Sequence, residues 1–296
     1  MVLYQQHELL SKSYLRAMEI SQLKNIAAQV RRDIVRMVHA VQSGHPGGSL
    51  GCADFMVALY FHAMKHDPAF NMDGAGEDLF FLSNGHISPV MYSVLARSGY
   101  FPVSELSSFR KLDSRLQGHP TTHEHLPGVR IASGSLGQGM SVASGAATAK
   151  KLNGDDRLVY ALLGDGELQE GQNWEAIMFA AHHKIDNLIV TIDVNGQQID
   201  GPTASVMNIE SLNAKFQAFN WKVLEMDGNV MEEVVATLDA AKSAAGMGQP
   251  VVILMRTAMG KGVSFMEGTH EWHGIAPNDS QLEMALKELY LTMEDY

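Results

Sequence analysis

The sequence predicts an α/β fold, a doubly wound parallel sheet with helices on both faces. Two observations carry that expectation. Apolar runs at 157–166, 187–196, 220–228 and 250–257 are continuous rather than alternating, as in strands buried on both faces. The stretches 168–184 and 231–244 between them read as helices. Strand–helix–strand units of this kind form right-handed parallel crossovers.

The elements follow in order. Residues 1–40 read as helical, because Ile26, Val30, Ile34 and Val38 recur at helical spacing. SGHPGGSLG at 43–51 breaks that pattern, and a helix is expected over 53–64. A short buried strand at 78–86 runs into turn residues. Helices are expected at 87–98 and 104–111, followed by a loop rich in Gly, Pro and His over 113–135. Another helix opens directly after the glycine turn at 133–139, and a last one covers 281–291. No linker composition or repeat divides the chain, so a single domain is expected over 1–296.

Composition narrows the function. With 22 basic and 33 acidic residues the net charge is −11, which argues against a nucleic-acid surface. Anionic small molecules stay admissible, because a local pocket can invert the global field. One cysteine, Cys52, allows no internal disulfide. Neither a signal-peptide core nor a membrane span is legible, so the expected location is the cytoplasm.

In a doubly wound sheet, ligands bind beyond the carboxyl ends of the strands. Two strands end there in hard oxygen donors: Asp165, within Gly164-Asp165-Gly166, and Asn195, within Asp193-Val194-Asn195-Gly196-Gln197. One β-α-β unit would set these ends side by side. A carboxylate and a carboxamide oxygen suit Mg²⁺ or Ca²⁺, and a diphosphate could complete the shell. Asp-Gly after a strand is also an ordinary turn. A second glycine loop, Ser133-Gly134-Ser135-Leu136-Gly137-Gln138-Gly139, could add amides to the same anion site or merely allow close helix packing.

Thirteen histidines are many for this length, and His45, His86, His119 and His270 sit in loops flanked by glycine or proline. Such positions are poorly explained by core packing and suit oxygen binding or proton transfer near neutral pH. Zinc signatures are not matched. His62 and His66 read as helix-face residues, and His182 and His183 as the end of the crossover helix.

The ordered set Gly44-His45-Pro46-Gly47, Leu82-Ser83-Asn84-Gly85-His86, Gly118-His119-Pro120, Leu136-Gly137-Gln138-Gly139, Gly164-Asp165-Gly166 with Glu170-Gly171, Asn195-Gly196 with Asp200-Gly201, and Gly268-Thr269-His270 before His273-Gly274 resembles the transketolases over about residues 20–280. The resemblance implies a thiamine-diphosphate-binding fold. It implies that Asp165, Asn195 and the Gln197 carbonyl hold Mg²⁺ or Ca²⁺ with the cofactor diphosphate. Gly166, Gly134, Ser135 and Leu136 would contact thiamine diphosphate. His86 and His270 would lie at the diphosphate and the reacting carbon, with His270 also meeting substrate. His45 and His119 would bind sugar oxygens and move protons, and Glu170 would join a carboxylate network between paired active sites.

The chain departs from the family pattern at Ser135, where proline is frequent, and at Asn229, where histidine is. Full-length transketolases continue into pyrimidine-binding and C-terminal domains, which are expected here on a partner subunit, in an assembly with two copies of each chain. The implied reaction moves a two-carbon ketol unit from a ketose phosphate to an aldose phosphate, by default in the pentose phosphate pathway. The alternatives are a deoxyxylulose-phosphate synthase, the alpha subunit of a 2-oxoacid dehydrogenase and a non-catalytic regulatory subunit.

Overall fold

The computed structural model describes residues 18–296. The helical expectation for 1–17 lies outside the described residues. Helix α1, Ile20–Val41, starts where the Glu19 N–H donates to the Gln22 side chain (3.0 Å) and ends at Gln42 in the left-handed region (φ 49°). Its stripe of Leu23, Ile26, Val30, Ile34 and Val38 is buried. The SGHPGGSLG segment, read from sequence as a break, instead nucleates a short helix α2, Pro46–Gly51, with proline in its first turn. Helix α3, Ala53–Ala58, follows and widens into a π-turn over Leu59–Ala63.

Strand β1, Leu79–Leu82, leads into α4, Ser88–Arg97. The helix expected at 104–111 is a 3₁₀ segment, Val103–Ser108. Beyond the histidine-rich loop come α5, Gln138–Leu152, β2, Val159–Gly164, α6, Gly171–His182, and β3, Leu188–Val194. A two-stranded hairpin at Gln197–Gln198 and Gly201–Pro202 and a helix α7, Leu212–Ala218, were not legible in sequence. Strand β4, Lys222–Asp227, helix α8, Met231–Ala244, strand β5, Val251–Arg256, and helix α9, Asp279–Glu288, complete the order.

The five strands form one parallel sheet in the order β1-β2-β3-β5-β4. Alternate side chains divide between two cores, as the period of two requires. Phe80, Leu82, Tyr160, Leu162, Ile189, Val251 and Ile253 face α1, α3, α4 and α8. Leu79, Phe81, Val159, Ala161, Leu163, Val190, Val252 and Leu254 face α5, α6 and α7. Both faces are therefore covered, which explains why the strands read as unbroken apolar runs. No described helix is long and apolar enough to cross a membrane.

Ion pairs pin the first layer together. Asp33 on α1 receives Arg97 of α4 in a fork, at 2.5 Å to Nε and 2.7 Å to Nη2, with side-chain exposures of 0% and 3%. Arg31 on the same helix grips Asp54 of α3 at 2.5 Å. His62 faces Asp239 at 3.1 Å and His66 meets the Tyr60 carbonyl at 2.8 Å, so these two serve packing between elements.

Candidate active site

At the carboxyl end of the sheet, β2 and β3 run in register with Gly164 opposite Asp193. The next residues therefore emerge together. Asp165 accepts the Gly166 N–H at 2.7 Å through Oδ1 and the Gly196 N–H at 2.8 Å through Oδ2. Asp193 accepts the Thr257 hydroxyl at 2.5 Å and the Asn195 carboxamide N–H at 2.8 Å. That last bond turns the Asn195 oxygen outward, where it accepts the Gln197 N–H at 2.9 Å with a lone pair to spare.

The electrostatics are those of two buried acids that disfavour each other's charge. Burial and the neighbouring Asp193 push the Asp165 carboxyl up to about 7. Burial likewise raises Asp193, against hydrogen bonds that lower it. Neither carboxylate has an ion pair among the described residues. Two adjacent buried acids, one carboxamide oxygen and a nearby backbone turn fit a divalent ion with an anionic ligand.

Four histidines converge beside this pocket. His45 lies 5.2 Å from His86, 6.3 Å from His119 and 5.5 Å from His273 between ring centroids, and His86 lies 5.1 Å from His273. His45 caps α2, and the 3₁₀ turn His270–His273 brings His273 to it. Trp272, buried against Phe265, anchors the inner end of that turn. Burial, then the His273, Arg110 and His119 neighbours, lower His45 to about 4. Burial is also the first cause that lowers His86, His119 and His273. These rings are neutral at pH 7, so each offers one donor and one acceptor nitrogen.

One expected site residue lies elsewhere. His270 begins the turn, exposed and outside the ring cluster, because the buried Trp272 anchor sits next to His273 and two residues beyond His270. His273, not His270, is the histidine that the structure carries into the site. Its signal was present in sequence as a second histidine before Gly274, but spacing does not tell which one faces inward.

The cavity is about 360 Å³ and is lined by His45, Asn84, His86, His273, Gly134 and Leu136 on one side and by Gly164, Asp165, Gly166, Glu170, Asn195 and Gln197 on the other. Ser135 is exposed on the loop between Gly134 and Leu136, where it accepts the Gln138 carboxamide N–H at 3.2 Å. Glu170 is exposed at the rim, and His119 is exposed beyond His45. Asn229 joins Gly51 (2.9 Å to its carbonyl) to the Ala258 N–H (2.8 Å), so the departure from histidine leaves local bonding satisfied. Sequence reasoning passed over Asp193 and Glu167, both buried acids that take at least one partner from a distant segment.

Four polar atoms of this lining are buried with no hydrogen-bond partner among the described residues: His45 Nδ1, Asn84 Oδ1, Gln197 Oε1 and His273 Nδ1. Such orphaned atoms are costly unless a ligand or water satisfies them.

Comparison with known proteins places this geometry. Residues 22–294 match the family model of the transketolase thiamine diphosphate binding domain. The chain is 39% identical to an apulose-4-phosphate transketolase subunit from Actinobacillus succinogenes, over 90% of this chain and 96% of that protein. It is 38% identical to a 6-deoxy-6-sulfo-D-fructose transketolase subunit from Clostridium sp., over 90% and 96%. The crystal structure of Campylobacter jejuni transketolase superposes with a TM-score of 0.85 at 36% identity, over 92% of this chain and 43% of that one. The chain thus spans less than half of that transketolase, yet nearly the whole of the two relatives named as subunits. Over residues 22–294 the chain belongs to the transketolase family and corresponds to its thiamine diphosphate binding domain.

Proposed function

We propose that the chain is the diphosphate-binding subunit of a two-chain transketolase, transferring a two-carbon ketol unit from an anionic ketose to an aldose. The observation that carries this is the convergence of His45, His86 and His273 on the cavity beside Asp165 and Asn195, with His119 next to His45. Relatives named for apulose-4-phosphate and 6-deoxy-6-sulfo-D-fructose support an anionic ketose of that general class.

Asp165, Asn195 and the Gln197 carbonyl would hold Mg²⁺ or Ca²⁺ against the cofactor diphosphate, with Gly134, Ser135, Leu136, Gly166 and His86 around it. Thiamine diphosphate would supply, when bound, the nucleophilic carbon and electron sink that ketol transfer requires. This chain's own part is to orient and to move protons. His45 and His273 line the cavity, where a ring nitrogen of each would donate to or accept from substrate hydroxyls. Their neutrality at pH 7 lets either take a proton as a bond breaks and return it as another forms. His119 would bind sugar oxygens at the mouth.

A partner subunit would carry the pyrimidine-binding domain, and Glu170 at the rim is placed to meet it or the paired site. The names of the relatives support that division, and two copies of each chain is the proposed assembly. The test assembles both chains with thiamine diphosphate and Mg²⁺ and offers ketose phosphates, ketose sulfonates and pyruvate as donors. Ketol transfer to an aldose from a ketose is expected. Turnover of pyruvate alone would favour the synthase or dehydrogenase alternatives. A complex that binds cofactor but turns over no donor would make the chain a regulatory subunit.

A further inference from the structure

Glu167 follows the strand-end aspartate by two residues and is buried, with its side chain turned away from water. Its side-chain oxygens accept three hydrogen bonds. Its Oε1 accepts the Ser83 hydroxyl in a short hydrogen bond and the Gly137 N–H at 2.7 Å, and its Oε2 accepts the Gly164 N–H at 3.1 Å. Ser83 in turn accepts the Gly139 N–H at 3.1 Å. The Glu167 backbone is itself held, since the Asn173 carboxamide donates to its carbonyl at 2.7 Å.

These donors belong to three separate segments that wall the cavity. Ser83 directly follows β1 and precedes Asn84 and His86. Gly137 caps α5 and follows Gly134 and Leu136. Gly164 ends β2 and precedes Asp165 and Gly166. The approach is too close for added side chains: a Cβ on Gly139 would collide with Ser83, and Gly137 adopts a left-handed φ of 89°.

We infer that Glu167 is a positioning residue for the cofactor pocket, a single acceptor that sets the spacing of the β1 end, the glycine loop and the β2 end around the diphosphate. The inference rests on the transketolase reading of the same site. Its chemistry is specific. Three donors converge on two oxygens, and a carboxylate offers acceptor lone pairs on both, where a carboxamide offers them on one. In Glu167→Gln one oxygen still serves two donors, but the new NH₂ faces another N–H, and one loop loses its tie. Aspartate, one methylene shorter, cannot span the same three segments.

The test uses the assembled two-chain complex and measures the dissociation constant for thiamine diphosphate with Mg²⁺ by calorimetry, beside turnover against cofactor concentration. Glu167→Gln is expected to weaken cofactor binding about tenfold or more, the scale of one buried donor left unsatisfied. Turnover at saturating cofactor should recover to near the wild-type value, because the histidines are untouched. A purely structural role would lower the melting temperature and leave the dissociation constant unchanged, and that result overturns the inference. Should Glu167→Gln fail to fold, Ser83→Ala decides: weaker binding supports the inference, and unchanged binding overturns it. If the wild-type complex itself bound no cofactor, the proposed function would fall with it; tight wild-type binding with an indifferent variant would remove the inference alone.

Discussion

The Gly196 N–H donates to Asp165 Oδ2 at 2.8 Å, so the ends of β3 and β2 are tied at the carboxylate proposed to hold the metal. Asp165 thus has two duties: it accepts two backbone amides and presents charge to the cavity. Asp165→Asn should separate them. Binding of thiamine diphosphate with Mg²⁺ is expected to weaken about 100-fold or more, by analogy with losses at metal-supporting positions. The melting temperature of the cofactor-free chain should fall by only a few °C, because the new NH₂ faces one of the two backbone N–H groups while the removed charge is one that burial and Asp193 already oppose. Calorimetry and thermal denaturation check the two halves. An Asp165→Asn variant that bound cofactor like wild type would exclude Asp165 as a ligand.

The two histidines of one 3₁₀ turn provide an internal control. His273→Ala is expected to cost ~10²–10⁴-fold in kcat with cofactor still bound, the usual scale for a positioned proton-transfer group. His270→Ala, at an exposed position, should remain near wild type. Equal losses at both positions would show that the turn matters only as a unit.

Acid should expose the histidine cluster. The folded-state value of His45 is lowered to about 4 from an ordinary 6.5. Between these values the unfolded chain binds more protons at this residue than the folded one, so its contribution to stability is full above pH 6.5 and is lost as pH falls towards 4. Asp165, raised to about 7, acts in the opposite sense, with its favourable contribution lost as pH rises. The difference between wild type and His45→Gln isolates the histidine. Relative to wild type, the variant should gain stability as pH falls from 6.5 to 4, by up to ~1.4 kcal/mol per pH unit. Denaturant titrations at several pH values measure this, and a flat difference would mean that His45 protonates freely in the fold.

The first helical layer rests on the Arg97–Asp33 fork. Arg97→Ala leaves Asp33 buried with the Ser93 hydroxyl at 2.6 Å as its remaining side-chain donor. A loss of about 3–5 kcal/mol is expected for an uncompensated buried charge. Chemical denaturation of the cofactor-free chain reads this directly. A loss below about 1 kcal/mol would show that water reaches Asp33 once the guanidinium is gone.

Much of the fold was legible because parallel strands buried on both faces must be apolar throughout. The runs at 157–166, 187–196, 220–228 and 250–257 each contain an observed strand, and 231–244 is the observed α8. The failures have separate causes. The break expected at 43–51 became α2 because its small residues pack closely: a Cβ on Gly47 would lie 2.5 Å from the Met259 side chain. The helix expected at 104–111 tightened to 3₁₀, and α7 lacks the length for a clear period.

The sequence by itself determined the sheet, the crossover that sets Asp165 beside Asn195, and a set of glycine-flanked histidine loops, since these follow from hydrophobic period and local turn chemistry. Tertiary structure alone decided which histidine of His270 and His273 enters the cavity, and that Glu167 and Asp193 are buried acids serving loops far from them in the chain. The reason is physical. Local spacing fixes which way a side chain leaves its own element, whereas burial and hydrogen-bond partners depend on what other segments bring to meet it.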